Sequence, residues 1–302
     1  MEKACHALSA GVPVWCLHEL VHNAVVVGEL RERGMKFVES LEEVPEGETV
    51  LFSAHGVSPG VRALAEARGL KVIDATCPFV ARAHRQARAF AAHGVPTVIV
   101  GDAGHVEVAG LVGEHKDLSE SKGTKDQKDL ECLRVIKDAA DVAALPFPAD
   151  GPLGVVCQTT LSAGVVQSVL SALRARYPRL IEPAAAETCT ATRDRQAAVR
   201  AFVQAGDPAT TGVLVIGSAT SSNTARLVEI AREAGAVAWR VEGADDLAGK
   251  DFFGLARLGL TAGASTPENV VRDVAAKMAA LHTDARERVP PDAVATSCAP
   301  PD

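Results

Sequence analysis

The sequence predicts an α/β fold of three similar lobes with parallel sheets, and three observations indicate it. At 302 residues the chain is long enough for two or three domains. It is 47% hydrophobic but only 4% aromatic, a composition that suits helices packed on buried parallel sheets better than an antiparallel sandwich. Short apolar runs alternate with polar or glycine-rich turns and helical stretches, which is the pattern of βαβ units.

The elements follow this plan from the first residue. The segment MEKACHALSAG predicts a helix that Gly11 ends, and VPVWCL predicts a short strand. Further along, we expect helices to begin near Ser58 and at Pro78. Six strand-and-turn units follow the opening: TVLFSAHG (49–56), LKVIDATC (70–77), TVIVGDAGH (97–105), GVVCQTT (154–160), GVLVIGSATSSN (212–223) and RLGLTAGAS (257–265).

The spacing of these units predicts lobes over residues 1–78, 79–190 and 191–281. Two segments depart from the pattern. Residues 114–131, EHKDLSESKGTKDQKDLE, are charged and nearly free of apolar side chains, so we expect a solvated surface insertion. Residues 282–302 are rich in proline and acidic, and we expect a mostly disordered tail.

Charge and cysteine content argue against several classes of protein. The net charge is −7 and there is no run of Lys or Arg, so a nucleic-acid partner is not expected. No apolar stretch approaches the roughly 20 residues that cross a bilayer, and the opening residues do not resemble a signal peptide. We therefore expect a cytoplasmic protein. Seven widely spaced cysteines without a CxxC pair favour neither disulfides nor a zinc ribbon.

Polar side chains with chemical potential recur directly after the predicted strands. In open α/β sheets ligands bind outside the carboxyl ends of the strands, so lobes that face one another would bring these residues into one cavity. Each could instead be an ordinary turn or cap residue, but buried His, Cys and Glu are costly without partners. The residues are His55, Cys77, His105, Glu107, Thr159, Thr160, Ser221, Ser222, Asn223 and Ser265.

Several of these positions also precede helices. Ser58-Pro59, Ser222-Asn223 and Ser265-Thr266-Pro267 have the chemistry of helix N-caps, and helix N-termini favour phosphate. No Walker motif and no GxGxxG is present, so a small diphosphate is favoured over a nucleotide. Cys77 and Cys189 both precede helices and are candidate metal ligands, whereas we expect the other cysteines within elements to be structural.

Eight motifs, in order, resemble those of the 4-hydroxy-3-methylbut-2-enyl diphosphate reductase family, the last enzymes of the non-mevalonate isoprenoid pathway. The resemblance covers roughly residues 1–281 and implies three α/β lobes around a central [4Fe–4S] cluster and substrate cavity. It implies reductive removal of the substrate's allylic hydroxyl, giving isopentenyl and dimethylallyl diphosphate. The motifs are HELVHN, FSAHGVS, DATCP, GDAGHVEVAG, QTTLS, ETCTATRDRQ, GSATSSNTARL and TAGASTP.

The resemblance also implies roles for individual residues. Glu107 matches the acidic residue that delivers protons, and Thr159 matches a threonine near the substrate's hydroxyl, with Thr160 beside it. Cys77 and Cys189 match two of the three cysteines that hold the cluster. An external donor such as ferredoxin or flavodoxin would supply electrons. The residues that match diphosphate contacts are His22, His55, His105, Ser221, Ser222, Asn223 and Ser265.

The opening stretch departs from the family pattern. Family members begin with a strand and a motif of the type PRGFCAGV that supplies the first cluster cysteine, whereas Met1 aligns inside the following helix. Neither Cys5 nor Cys16 stands at the matching place. We expect an upstream segment that carries the strand and the cysteine; the alternative is an inactive copy that only binds diphosphate. A zinc hydrolase that uses Cys77, Cys189 and a histidine is a further alternative.

Overall fold

Parallel pairing holds throughout the three β-sheets of this protein. The computed structural model describes residues 2–9, 11, 13–121, 132–182 and 190–287. Within them, every strand pair is parallel, and each sheet has one of its strands out of sequence order, as crossover connections require. Helices therefore connect the strands, and the predicted fold class of three parallel-sheet α/β lobes is confirmed.

The first sheet has the strand order β2-β1-β3-β4. Its strands are β1 (Val14–Leu17), β2 (Met35–Val38), β3 (Thr49–Phe52) and β4 (Lys71–Asp74). The helices of this part of the chain are α1 (Glu2–Ser9), α2 (Ala24–Glu32), α3 (Pro59–Ala67) and α4 (Pro78–Ala92).

The second sheet has the order β6-β5-β7-β8 and the third the order β10-β9-β11. The second contains β5 (Thr97–Val100), β6 (Leu133–Ile136), β7 (Leu153–Cys157) and β8 (Leu180–Ile181), with helices α5 (Val106–Ser121) and α6 (Ala163–Arg176). The third contains β9 (Thr211–Ile216), β10 (Val237–Val241) and β11 (Arg257–Ala262), with α7 (Thr190–Gln204), α8 (Ser222–Glu233) and α9 (Glu268–Glu287). The three sheets fall within the three predicted lobes, whose boundaries stay a prediction.

The central strands are buried on both faces, which explains their continuous apolar sequences. In β9, for example, Val213 and Val215 pack into one hydrophobic core, while Leu214 and Ile216 pack into another on the opposite face. Successive side chains of a strand point to opposite faces, so a strand covered by helices on both sides has no polar face. Each Å² of buried apolar surface stabilises the folded state by roughly 25 cal/mol. Strands that are buried on both faces therefore form a stable base for the loops.

Several helices begin directly after strands, with side-chain caps at the predicted places. Ser58 accepts a hydrogen bond from the Val61 N–H at the start of α3, and Pro78 occupies the first turn of α4. The cap of α8 is Ser221, which accepts from the Thr224 N–H at 3.3 Å; the predicted cap at Ser222-Asn223 was therefore late by one residue. These capping hydrogen bonds fix the backbone where each polar loop joins its helix.

Two predicted segments differ from the structure where they begin. Helix α5 continues to Ser121, and its residues Glu114 and His115 are buried rather than solvated. The reason is that helix α4 supplies Glu114 with charged partners. Helix α9 likewise runs to Glu287, beyond the predicted start of the tail at 282. The rest of both segments, 122–131 and 288–302, lies outside the described residues.

Among the helices of the described ranges, none combines the length and the apolar character needed to span a bilayer.

The contact between Phe90 of helix α4 and Gly154 of strand β7 provides a test of the core packing. A Cβ added at Gly154 would lie 2.6–2.8 Å from three carbons of the Phe90 ring, so Gly154→Ala should overpack the core. We expect the free energy of unfolding to fall by about 1–3 kcal/mol, as measured by urea denaturation. Gly151→Ala is the matched control, because its Cβ would meet nothing closer than 3.6 Å. Equal stability of the two variants would contradict the packing described here.

Candidate active site

Three histidines from three different loops meet at the carboxyl ends of the first and second sheets. His22 follows β1, His55 follows β3 and His105 follows β5. Their ring centroids lie 4.4 Å apart for His22 and His55, 5.5 Å for His22 and His105, and 5.7 Å for His55 and His105. Such a cluster concentrates several N–H donors within a few ångströms, a suitable arrangement for binding an anion.

Burial keeps two of these rings neutral when no ligand is bound. Burial, together with the neighbouring charges of His22, His105 and His18, lowers the pKa of His55 to about 3. Burial, followed by the charge of His22, also lowers the pKa of His105, against the opposing charge of Asp102. The backbone N–H of Glu107 donates to Nδ1 of His105 at 3.1 Å and fixes that ring. Because an anion would favour the protonated rings, anion binding here is linked to proton uptake.

A buried carboxyl group lies beside the histidines. Glu107, in the first turn of α5, is 1% exposed. Its Oε1 accepts the backbone N–H of Thr159 at 2.8 Å, and its Oε2 accepts the Thr159 hydroxyl at 3.0 Å. Burial raises the pKa of Glu107 to about 7, although the hydrogen bonds from Thr159 and the charge of His84 oppose the rise. A carboxyl with such a pKa can hold or release a proton near neutral pH.

The third sheet contributes hydroxyl and amide groups through the N-terminus of α8 and the loop after β11. Asn223 is 5% exposed, and both polar atoms of its amide are buried without a partner in the described part of the chain. Unsatisfied buried amides cost free energy, so a ligand that paired with Asn223 would gain stability. Ser221 and Ser222 precede it, and Ser265 faces the same space.

All of these groups line one cavity of about 170 Å³. The structure brings together every predicted site residue that it describes, and only Cys189 lies outside the described residues. Among the described residues, sequence reasoning missed Thr192, which is 2% exposed and lines the cavity. Its position in ETCTATRDRQ, at the start of α7, was the available signal. The predicted residues in the lining are His22, His55, Cys77, His105, Glu107, Thr159, Thr160, Ser221, Ser222, Asn223 and Ser265.

One of the described cysteines reaches this cavity. Cys77 occupies the N-cap position of α4, where its thiol makes no capping hydrogen bond, and it lines the cavity. Cys16 lies in the middle of β1, where burial raises its thiol pKa to about 12, so it stays protonated and structural. Within the described ranges, no three His, Cys, Asp or Glu side chains form a group that could hold a metal ion.

Comparison with known proteins decides the family. The model of the family described as LytB protein matches residues 1–279. The chain belongs to the LytB family. The 4-hydroxy-3-methylbut-2-enyl diphosphate reductase of Pseudomonas aeruginosa (strain LESB58) is 42% identical over 268 residues, which are 89% of this chain and 81% of the relative. The 4-hydroxy-3-methylbut-2-enyl diphosphate reductase 2 of Mycobacterium bovis (strain ATCC BAA-935 / AF2122/97) is 44% identical over 87% of this chain and 75% of its own length.

Solved structures agree with the LytB assignment. The E-1-hydroxy-2-methyl-but-2-enyl-4-diphosphate reductase from Plasmodium falciparum superposes with a TM-score of 0.82 at 30% identity, covering 96% of this chain and 83% of that one. A second structure, of (E)-4-hydroxy-3-methyl-but-2-enyl diphosphate reductase, has a TM-score of 0.61 at 28% identity, with 92% of each chain covered. The predicted family is therefore confirmed, whereas the roles of individual residues stay predictions.

The burial of Glu107 predicts a pH-dependent stability. Its pKa is raised in the folded state, so the proton it retains stabilises the fold below about pH 4.5, and this contribution is lost as the pH rises through about 7. Glu107→Gln removes the titration. Between pH 5 and pH 8 we expect the variant to gain about 2–3 kcal/mol in unfolding free energy relative to the parent.

Urea denaturation of both proteins at the two pH values measures this difference. Glu66→Gln, on the exposed surface of α3, is the control and should follow the parent at both pH values. A constant difference between Glu107→Gln and the parent from pH 5 to pH 8 would show that the carboxyl does not titrate in this range.

Proposed function

We propose that this LytB protein is a 4-hydroxy-3-methylbut-2-enyl diphosphate reductase that removes the allylic hydroxyl of its substrate. The reaction consumes two electrons and two protons, releases water and gives isopentenyl and dimethylallyl diphosphate. One observation carries the proposal: anion-binding rings, a proton-holding carboxyl and a thiol line the same small cavity. Their residues also match the motifs of the family one by one.

The diphosphate would bind between the histidine cluster and the N-terminus of α8. His22 and His55 can offer charge-assisted donors, and His105, whose Nδ1 accepts the Glu107 N–H, donates from Nε2. The helix terminus adds free N–H groups and a partial positive charge. We assign Ser221, Ser222, Asn223 and Ser265 to the same end of the substrate, since they line the cavity from the third sheet.

Glu107 and Thr159 would deliver a proton to the other end of the substrate. A carboxyl with a pKa of about 7 carries its proton in much of the protein at neutral pH. Its Oε2 lies 3.0 Å from the Thr159 hydroxyl, so a proton can pass between the two oxygens without movement of the chain. Thr160 lies beside them in the lining and would help to orient the substrate.

A [4Fe–4S] cluster, when bound, would supply electrons and Lewis-acid chemistry. Cys77 fits as a ligand, because it lines the cavity from the N-cap position of α4 and its thiol makes no capping hydrogen bond there. We assign Cys189 as a second ligand from its motif; the family uses three cysteines. We further propose ferredoxin or flavodoxin as the electron donor and a cytoplasmic location.

A narrower function, diphosphate binding without reduction, is supported by the same cavity. The histidines and the α8 N-terminus require no thiol, so they would bind an anion whether or not a cluster is present. Visible absorption after incubation with iron and sulfide separates the two functions, because an iron–sulfur protein is brown. A colourless protein that still bound pyrophosphate would favour the narrower function.

Removing the histidines tests the anion site. In His55→Ala the cavity loses a charge-assisted hydrogen bond worth roughly 1.5–3 kcal/mol, so affinity for inorganic pyrophosphate should fall about ten- to a hundredfold by calorimetry. His22→Ala and His105→Ala should behave alike. His93→Ala is the control, since this exposed ring bonds the Ala89 carbonyl at the end of α4 and is absent from the cavity lining. Parental affinity in all three cavity variants would place the anion site elsewhere.

Glu107→Gln tests the chemistry separately from binding. The amide keeps the shape and the hydrogen-bonding capacity of the carboxyl but cannot deliver a proton. On protein loaded with iron and sulfide, turnover should fall by roughly 10²–10⁴ while cluster content and pyrophosphate affinity stay parental. Near-parental turnover per folded molecule, whatever the change in melting temperature, would show that Glu107 serves only stability, and the catalytic assignment would fail.

A further inference from the structure

A buried, charged cluster lies behind the cavity, outside its lining. His84 on α4 and Glu114 on α5 are 5% and 0% exposed. The Nδ1 of His84 lies 2.8 Å from Oε1 of Glu114, and Arg88, one turn further along α4, donates to both carboxylate oxygens at 2.8 and 3.0 Å. A carboxylate only accepts, so Nδ1 of His84 carries the proton. Burial alone would raise the pKa of Glu114, but these hydrogen bonds hold it below its usual value.

The His84 ring fills a space that two glycines leave open. A Cβ at Gly56 would lie 2.7 Å from Nε2 of His84, and one at Gly110 would lie 3.0 Å from Cε1 and 3.2 Å from Nε2. Gly56 has a φ of +75° and follows His55 directly. Gly110 lies one turn after Glu107, on the same side of α5. The ring is thus wedged between the backbone that carries the anion site and the helix that carries the carboxyl.

The second ring nitrogen of His84, Nε2, also indicates that packing holds this side of the ring. Nε2 of His84 is buried without a hydrogen-bond partner in the described residues, so the ring is not held there by polar contacts. The cluster with Glu114 and Arg88 fixes the ring from the Nδ1 side, and the two glycine backbones enclose it on the other. The charge of His84 is also close enough to lower the pKa of Glu107.

We propose that His84 is a positioning residue, whose clamped ring sets the distance between the His55 loop and the Glu107 helix. The proposal rests on the proposed function for the roles of His55 and Glu107. Active-site groups must be held within a few tenths of an ångström by locked neighbours, and a misplacement of about 1 Å costs up to a hundredfold in rate. Loss of the ring should therefore weaken binding and chemistry together, although His84 touches neither substrate nor cofactor.

The first test removes the His84 ring while keeping a hydrogen bond to Glu114. In His84→Asn the amide nitrogen stands where Nδ1 was and still donates to Glu114, so the buried carboxylate keeps its partner. On the full chain loaded with iron and sulfide, we expect pyrophosphate affinity and turnover each to fall about tenfold at near-parental melting temperature. His84→Ala should give the same losses with lower stability. His93→Ala, at the C-cap of the same helix, should change neither quantity.

A second-site substitution tests the geometry. Gly110→Ala alone would press its Cβ against the His84 ring and should impair affinity and turnover. In His84→Ala the new methyl occupies vacated space, so the double variant should recover part of both losses. A purely structural role of His84 predicts recovery of melting temperature without recovery of affinity.

Two outcomes would overturn the proposal. A folded His84→Asn variant with parental pyrophosphate affinity and turnover would show that the ring positions nothing. The imidazole NMR resonances of His55 and His105 give a readout that is independent of function: they should move in His84→Asn and stay in His93→Ala, and unmoved signals would refute the inference. A parent chain that did not bind pyrophosphate would refute the proposed function instead, while the NMR comparison would still decide the role of His84.

Discussion

Parallel strand pairing is the constraint on which the rest of this structure depends. Because neighbouring strands run in the same direction, every strand of a sheet ends at the same edge, and every loop there leads into a helix. The residues that follow β1, β3, β5, β7, β9 and β11 therefore all lie at these carboxyl edges. Three such edges surround one cavity, so side chains far apart in sequence meet on rigid supports. The apolar strands thereby fix the distances between the side chains of the polar loops.

Burial acts in opposite directions on the two kinds of titratable group in the cavity. It lowers the pKa of His55 and His105 and raises that of Glu107, so the cavity without a ligand carries little charge. An anion changes this balance, since it stabilises protonated imidazole. Binding and protonation are thereby coupled, and a dianionic ligand can bring protons into a space where protons are consumed. The same burial that costs stability prepares the groups for chemistry.

Much of this site could be predicted from the sequence, because its signals are local. A serine and a proline after an apolar run mark a helix start, and Ser58 and Pro78 stand where those signals place them. The polar residues after each strand were recognisable for the same reason. The partners of Glu114 were not, since His84 and Arg88 lie 30 and 26 residues away on another helix. A charged run appears solvated until its tertiary partners are known, and for Thr192 the sequence offered only its place within a motif.

The hydrogen bond that caps α8 has a consequence for which ligands the cavity can recognise. The Ser221 oxygen accepts the Thr224 N–H, and Nδ1 of His105 accepts the Glu107 N–H, so each group has used an accepting position on the protein itself. The His105 Nε2–H is then left to donate, while Ser221 keeps its O–H and one accepting position. His105 therefore distinguishes ligands by the direction of their hydrogen bonds: oxygen atoms that accept are satisfied there, whereas amino groups meet a like-polarised hydrogen. Ser221 and the unpartnered Asn223 amide can still both donate and accept.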